Sequence, residues 1–393
     1  MPRYFSNTTS FIQMQAIGDL PSDVFDWLSN CLTGTAFSSI EETVDELSIG
    51  WTRSDNIEDA TFDVPIAFQR DHHALFSLRV DQRRVASAVL KAHVVREEKK
   101  FIAENPNFRK PPKEKREEIK ELVKLKLLAT AHPVPTVVDV TWDLTTGVIN
   151  LFSTSTSVID RFEEIFKKTF DGFHLTLIHP YARAKGLLKG ELLDALLAAN
   201  QSNSDDVTAL ISSNRWIGNE FLLWLLYRGL NEASEYIVNI PGHSKEGEKF
   251  SAWVDDRIIM EGDSEEGGVQ KVAVTGSQDL YKEVRSALTS NKQITSATIC
   301  MEYGENRWKL ALKGDTFTFN SFKCPQVHIE QGVTVDEASE MEAVFFEKTY
   351  LQEQGVQYFD SLYLAFLRAR LGSSWGDQLK LINEWLAGNG TQQ

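Results

Sequence analysis

Apolar residues recur with helical spacing between Pro21 and Leu32, at Val24, Trp27, Leu28 and Leu32, and Ser22 stands where an N-cap would. From Asp63 to Val80 the pattern shortens to two strands, VPIAFQR and ALFSLRV, around a polar Asp71-His72-His73 turn. Residues 81–104 predict a long helix that ends at Asn105-Pro106-Asn107. Pro111-Pro112 extends the break, because proline ends helices and disfavours helix in the residue before it. A second helix is predicted from Lys113 to Leu128, stopped by Pro133 and Pro135. The pair reads as an αα-hairpin poor in apolar residues, and so expected to project from the body.

Alternation returns at Val137–Asp143, with Val138, Val140 and Trp142 on one face, and a Thr-Thr-Gly turn leads to a strand at Val148–Phe152. Ser157 opens a helix whose stripe of Ile159, Phe162, Ile165, Phe166 and Phe170 faces a core. Residues 198–208 are polar and read as a loop, and Asn219–Leu230 as a buried helix. Residues 246–330 read as a meander of five strands, with a Gly314-Asp315 turn and an inserted helix at Leu280–Leu288. Helices follow at Phe359–Leu371 and Trp375–Leu386. Trp216, Trp224, Trp253 and Trp308 lie in apolar patterns and are expected to pack in cores. The fold class predicted is α+β: antiparallel sheets packed with helices, plus the charged hairpin. The expected domains are a central one from 1–80 and 136–200, the hairpin at 81–135, and a second α+β domain at 209–393.

A chain of 393 residues that is 42% hydrophobic and 10% aromatic can bury sizeable cores, which excludes disorder or a coiled coil for the bulk. No apolar run approaches the 18 residues of a membrane span, and the start lacks the apolar stretch of a signal peptide. Three cysteines fit a reducing cytoplasm rather than a disulfide framework. Charge changes the picture more. The net charge is −15, yet residues 81–126 hold fourteen Lys/Arg against eight Asp/Glu, leaving −21 on the remainder. A basic island in an acidic chain points to a localised polyanion site.

On a helical wheel of residues 113–127, Ile119, Leu122, Val123 and Leu127 form an apolar face. Lys113, Arg116, Lys120 and Lys124 gather on its flank, and Glu117, Glu118 and Glu121 fall on the far side. Like charges four apart cost a helix a few tenths of a kcal/mol each, a cost that a phosphate backbone would offset. Lys/Glu-rich helices are also ordinary solvated faces, so charge alone leaves both readings open. No helix-turn-helix, zinc-finger or RNP signature accompanies the patch, so any DNA contact is expected to be with phosphates.

Catalytic motifs are absent: there is no GxxxxGK[ST], HExxH, CxxC or GxSxG. Adjacent His72 and His73 lack the helical i, i+4 spacing of a zinc pair and suit a loop, so no metal or cofactor is expected. Asp139 and Asp143 share a strand face about 13 Å apart, against about 4 Å between the metals of a two-metal nuclease, and read as solvent-facing. They remain the residues on which a metal-dependent nuclease would have to be built. A module that binds only protein is a third reading.

In order along the chain, Gly50-Trp51, IAFQR (66–70), the charged helical pair, IKELVKLKLL (119–128), VDVTWDLTTGVINLFSTST (138–156) and DRFEEIFKKTF (160–170) resemble the RdgC family of recombination-associated DNA-binding proteins. GNEFLLWLLYR (218–228), EVRSALTSNKQI (283–294), RWKLALKG (307–314) and FDSLYLAFLRAR (359–370) resemble its longer forms. The resemblance implies a non-enzymatic, cytoplasmic, nucleoid-associated protein. It implies a homodimeric ring around DNA that binds single and double strands without sequence preference and restrains RecA-type recombinases by occupying the DNA. Lys110, Lys113, Lys115, Arg116, Lys120 and Lys124 are then the expected phosphate contacts. By the same resemblance His132 falls near a gate position, with Thr130 where the family pattern has an arginine, and Lys271 is the nearest match to a basic residue of the second domain.

Overall fold

The computed structural model describes residues 4, 6–43, 45–204, 206–263, 267–276, 281–327 and 337–388. In chain order the elements are β1 (Thr8–Ile17), α1 (Val24–Gly34), β2 (Leu47–Thr52), β3 (Gln69–Arg70), β4 (His73–Arg83), α2 (Ser87–Glu104), α3 (Lys113–Thr130), β5 (Pro133–Asp143), β6 (Val148–Leu151), α4 (Thr156–Thr169) and β7 (His174–Leu177). They continue with α5 (Pro180–Leu187), α6 (Glu191–Ala198), α7 (Val207–Ser213), α8 (Arg215–Asn231), β8 (Glu235–Ile237), β9 (Lys249–Asp263), β10 (Val269–Thr275), α9 (Lys282–Thr289), β11 (Gln293–Tyr303), β12 (Asn306–Lys313), β13 (Thr318–Lys323), α10 (Glu337–Leu371) and α11 (Trp375–Leu386). Eleven α-helices and thirteen antiparallel strands among the described residues make this an α+β protein. None of these helices is long and apolar enough to cross a membrane.

The chain divides into two compact units. One comprises 19–145 and 160–173. Its strands run β2–β4–β5, with β3 on β4. The phenylalanine stripe of α4 closes this sheet: Phe162 and Phe170 pack on Trp51, and Phe166 and Phe170 on Trp142, with ring centroids 5.2–6.3 Å apart. The buried Trp51 indole donates to Thr169 Oγ1 at 2.8 Å, so its one polar atom is satisfied inside the core. Beside it, a Cβ on Gly50 would meet the Phe37 Cα at 2.3 Å, which is why only glycine fits there.

Three expectations are corrected in this unit. VPIAFQR is not one strand: Pro65–Ala67 form a single 3-10 turn, and only Gln69–Arg70 pair, as β3. Asp81–Arg83 do not begin a helix; β4 runs through them, pairing Arg83 with Pro133, and α2 starts at Ser87. Local sequence reads these charged residues as helix surface, but tertiary partners bury them. Asp81 takes a two-pronged bond from Arg79, both contacts at 2.9 Å. The Arg83 guanidinium donates to the carbonyls of Ile40, Thr43 and Asp45 at 2.7–3.0 Å, and also to that of Ala131. The α1 N-cap is Asp23 rather than Ser22, and no side chain caps that end.

The other unit comprises 1–18, 146–159 and 174–393. Its sheet runs β10–β9–β11–β12–β13–β1–β6, with β7 on β1 and β8 on β9. Helix α8 lies so close to the β12–β13 turn that a Cβ on Gly218 would fall 1.8 Å from the Gly314 carbonyl oxygen. The aromatic centre is Phe221, Phe317, Phe319, Phe359 and Tyr363. Trp224 and Trp308 are buried, as expected, and Trp216 and Trp253 are half-buried.

His179, at the start of α5, is buried, and that burial pushes its imidazole down to about 4. The unfolded chain, with histidine near its usual 6.5, takes up the proton first. The contribution is therefore complete above pH 6.5 and is lost as pH falls from 6.5 towards 4. Compared with a His179→Gln variant, the wild type is expected to lose about 3 kcal/mol more over that range. Urea titrations of both proteins across it check the sign; parallel losses would contradict it.

Candidate nucleic-acid interface

The charged hairpin grows from the end of β4, where the buried Arg83 ties the strand to the Ala131 carbonyl at the far end of α3. Helix α2 has no buried residue, and α3 buries Ile119, Val123 and Leu128. Leu122, expected on the apolar face, is 49% exposed, so the packed stripe is narrower than the wheel suggests. The turn between the helices is closed by Phe101 and Phe108, with ring centroids 6.1 Å apart, and by the Asn105 side chain donating to the Phe101 carbonyl at 2.9 Å.

On this frame Lys113, Arg116, Lys120 and Lys124 are all exposed. Arg116 reaches Glu98 of α2 at 3.4 Å. Among the described residues no carboxylate lies within ion-pairing distance of Lys113, Lys120 or Lys124. Lys115 is half-buried and pairs with Glu118 one turn on at 2.9 Å. Lys110 is exposed just ahead of α3, as are Arg109 and, on α3, Lys126, two further cations of the hairpin. His132 is exposed between α3 and β5. Lys271 lies on β10, in the other unit, and pairs with Glu261 at 3.0 Å. Six of the eight selected residues thus belong to one hairpin, with His132 at its root.

The carboxylates fall elsewhere. Asp139, expected to face solvent, is buried and accepts from Ser77 Oγ at 2.7 Å, because β5 is covered on both faces. Asp143, at the end of β5, pairs in register with His73 of β4. There, one ring nitrogen each of His72 and His73 and a carboxylate oxygen of Asp143 lie within 4.8 Å of one another. The sequence could not show this grouping, since the histidines precede Asp143 by the whole hairpin.

The chain matches over residues 4–212 a family described as "Putative exonuclease, RdgC". This protein belongs to the RdgC family. The matched span includes every residue of the unit that carries the hairpin, and Lys271 lies beyond it. No curated protein matches the chain. Within the RdgC-matched span, the exposed stripe of α3 is the feature whose chemistry points outward: four positive side chains on one helix flank, in a protein of net charge −15.

Proposed function

We propose that this RdgC-family protein binds DNA by its phosphate backbone, without sequence preference, and acts in homologous recombination by occupying DNA that a RecA-type recombinase would use. The observation that carries this reading is the exposed row of Lys113, Arg116, Lys120 and Lys124. A row of cations on a rigid helix complements a regularly spaced line of phosphates, and releasing condensed counterions supplies the driving force. Arg116 has Glu98 as a weak internal partner that a phosphate would displace. The strongly acidic remainder of the chain favours binding at this surface over others by repulsion. In the same reading the functional species is a homodimer that encircles single- or double-stranded DNA, with His132 near its gate and Lys271 a further contact.

The test is a salt titration of affinity for unrelated oligonucleotides, single- and double-stranded, with light scattering before and after DNA is added. Log affinity is expected to fall linearly with log salt, with the same slope for unrelated sequences. An affinity indifferent to salt, or a strong preference for one sequence, would sink the proposal.

The family's description names an exonuclease, and a hydrolytic reading needs metal-holding carboxylates. Asp139 and Asp143 offer it little as a pair, since Asp139 is buried against Ser77 and the two lie four residues apart on one strand. DNA incubated with the protein and magnesium or manganese checks this directly: cleavage that Asp139→Asn abolishes would replace the binding reading with the enzymatic one.

A further inference from the structure

We propose that His72, His73 and Asp143 form a binding site for one divalent transition metal of zinc type, with a coordination position left open to solvent. The site is built by backbone geometry. A two-residue turn of Asp71 and His72 joins β3 to β4, with Arg70 paired to His73. Asp71 takes the left-handed conformation this turn needs, at φ 53°, which aspartate tolerates better than most residues. Register then sets His73 opposite Asp143, and the Leu144 amide donates to the His72 carbonyl at 3.0 Å, fastening the turn to the end of β5. The Thr145 amide donates to Asp143 Oδ1 at 2.8 Å and orients that carboxylate.

The three donor atoms lie within 4.8 Å of one another. Ligand atoms around a tetrahedral zinc stand about 3.3 Å apart, so closure needs side-chain movements of about an ångström. An independent observation matches what metal sites require around their ligands. His72 Nδ1 lies 2.7 Å from Asp71 Oδ2. A carboxylate holding the proton on Nδ1 leaves the Nε2 lone pair for a metal and raises its basicity. The donor set also selects the ion: two imidazoles with one carboxylate suit zinc and its neighbours, whereas magnesium and calcium demand oxygen. His73 is buried, while the His72 side chain is 50% exposed and gives the ion a way in. Three protein ligands are one fewer than a closed structural zinc site has, which leaves room for a water or a substrate oxygen. This site is independent of DNA binding by α3.

The test uses the full chain, stripped by a chelator and titrated with zinc ions in competition with a chromophoric chelator. One zinc per chain is expected. His72→Ala and Asp143→Asn are each expected to weaken binding at least tenfold, and Asp71→Asn by about 10–100-fold, the range for loss of a partner that orients a ligand. Circular dichroism confirms that the variants fold. Should one fail to fold, the wild type still decides, because a bound ion must raise its Tm with increasing zinc concentration. No stoichiometric binding, an unmoved Tm, or full affinity in the His72→Ala/Asp143→Asn double variant would overturn the proposal.

Discussion

Replacing Lys113, Arg116, Lys120 and Lys124 together by glutamine is expected to lower DNA affinity by about three to four orders of magnitude for each protomer engaged at about 0.1 M salt. Each phosphate contact contributes about 0.9 to the slope of log affinity against log salt, so each is worth nearly one decade at that concentration. The four contacts of each engaged protomer should flatten the slope by about 3.6. The helix itself should survive. All four side chains are exposed, glutamine is a good helix former, and removing like charges spaced four apart relieves a small repulsion. Fluorescence anisotropy over a series of salt concentrations, with circular dichroism on the same samples, separates lost binding from lost folding. A folded variant with the wild-type slope would show that the stripe is only a solvated face. Lys115→Gln makes a useful contrast, because Lys115 is already engaged with Glu118 and should cost less.

The second large effect concerns stability. Arg183→Met is expected to cost about 3–5 kcal/mol of unfolding free energy, the usual penalty for orphaning one member of a buried ion pair. Arg183 of α5 is buried, donates to Asp360 of α10 and to Gln13 of β1, and lies over the Phe319 and Phe359 rings at 5.5 and 5.6 Å. Burial raises the Asp360 carboxyl above its ordinary range, and the arginine works against that rise. Without the guanidinium, Asp360 must protonate or draw in water, and Gln13 loses its donor. An Arg183→Met/Asp360→Leu double variant is expected to recover most of the loss, since well-packed apolar side chains often replace such a pair at little cost. Urea unfolding of the wild type, the two single variants and the double variant measures this. A double variant as unstable as the sum of its single changes would place the effect in packing rather than charge.

The elements legible in the sequence were those whose signal is local. The phenylalanine stripe of α4, the proline-bounded α3 and the β9–β13 meander follow from spacings of 3.6 and 2 residues, which neighbours along the chain fix on their own. The family order was legible for the same reason. The stretch at Asp81–Arg83 misled because its charges find partners at Arg79 and at carbonyls near residue 40, which no local window contains. Strand β1 is not among the predicted elements, although Ile12, Met14 and Ala16 alternate with Gln13 and Gln15; its pairing with β6, β7 and β13 is long-range.

The candidate sites divide in the same way. Sequence alone determined that positive charge is concentrated in residues 81–126 and that on α3 it gathers on one flank, since charge and helical period are properties of the chain itself. Only the tertiary structure decided which of those charges remain available. Arg83 is spent on backbone carbonyls, Lys115 is paired, and Lys113, Lys120 and Lys124 face solvent. Only the register between β4 and β5 set Asp143 beside His72 and His73, and it buried Asp139 against Ser77 four residues earlier. Pairing of strands separated by a whole helical hairpin is a long-range contact. It is fixed by the packing of both sheet faces, and no periodicity within either strand encodes it.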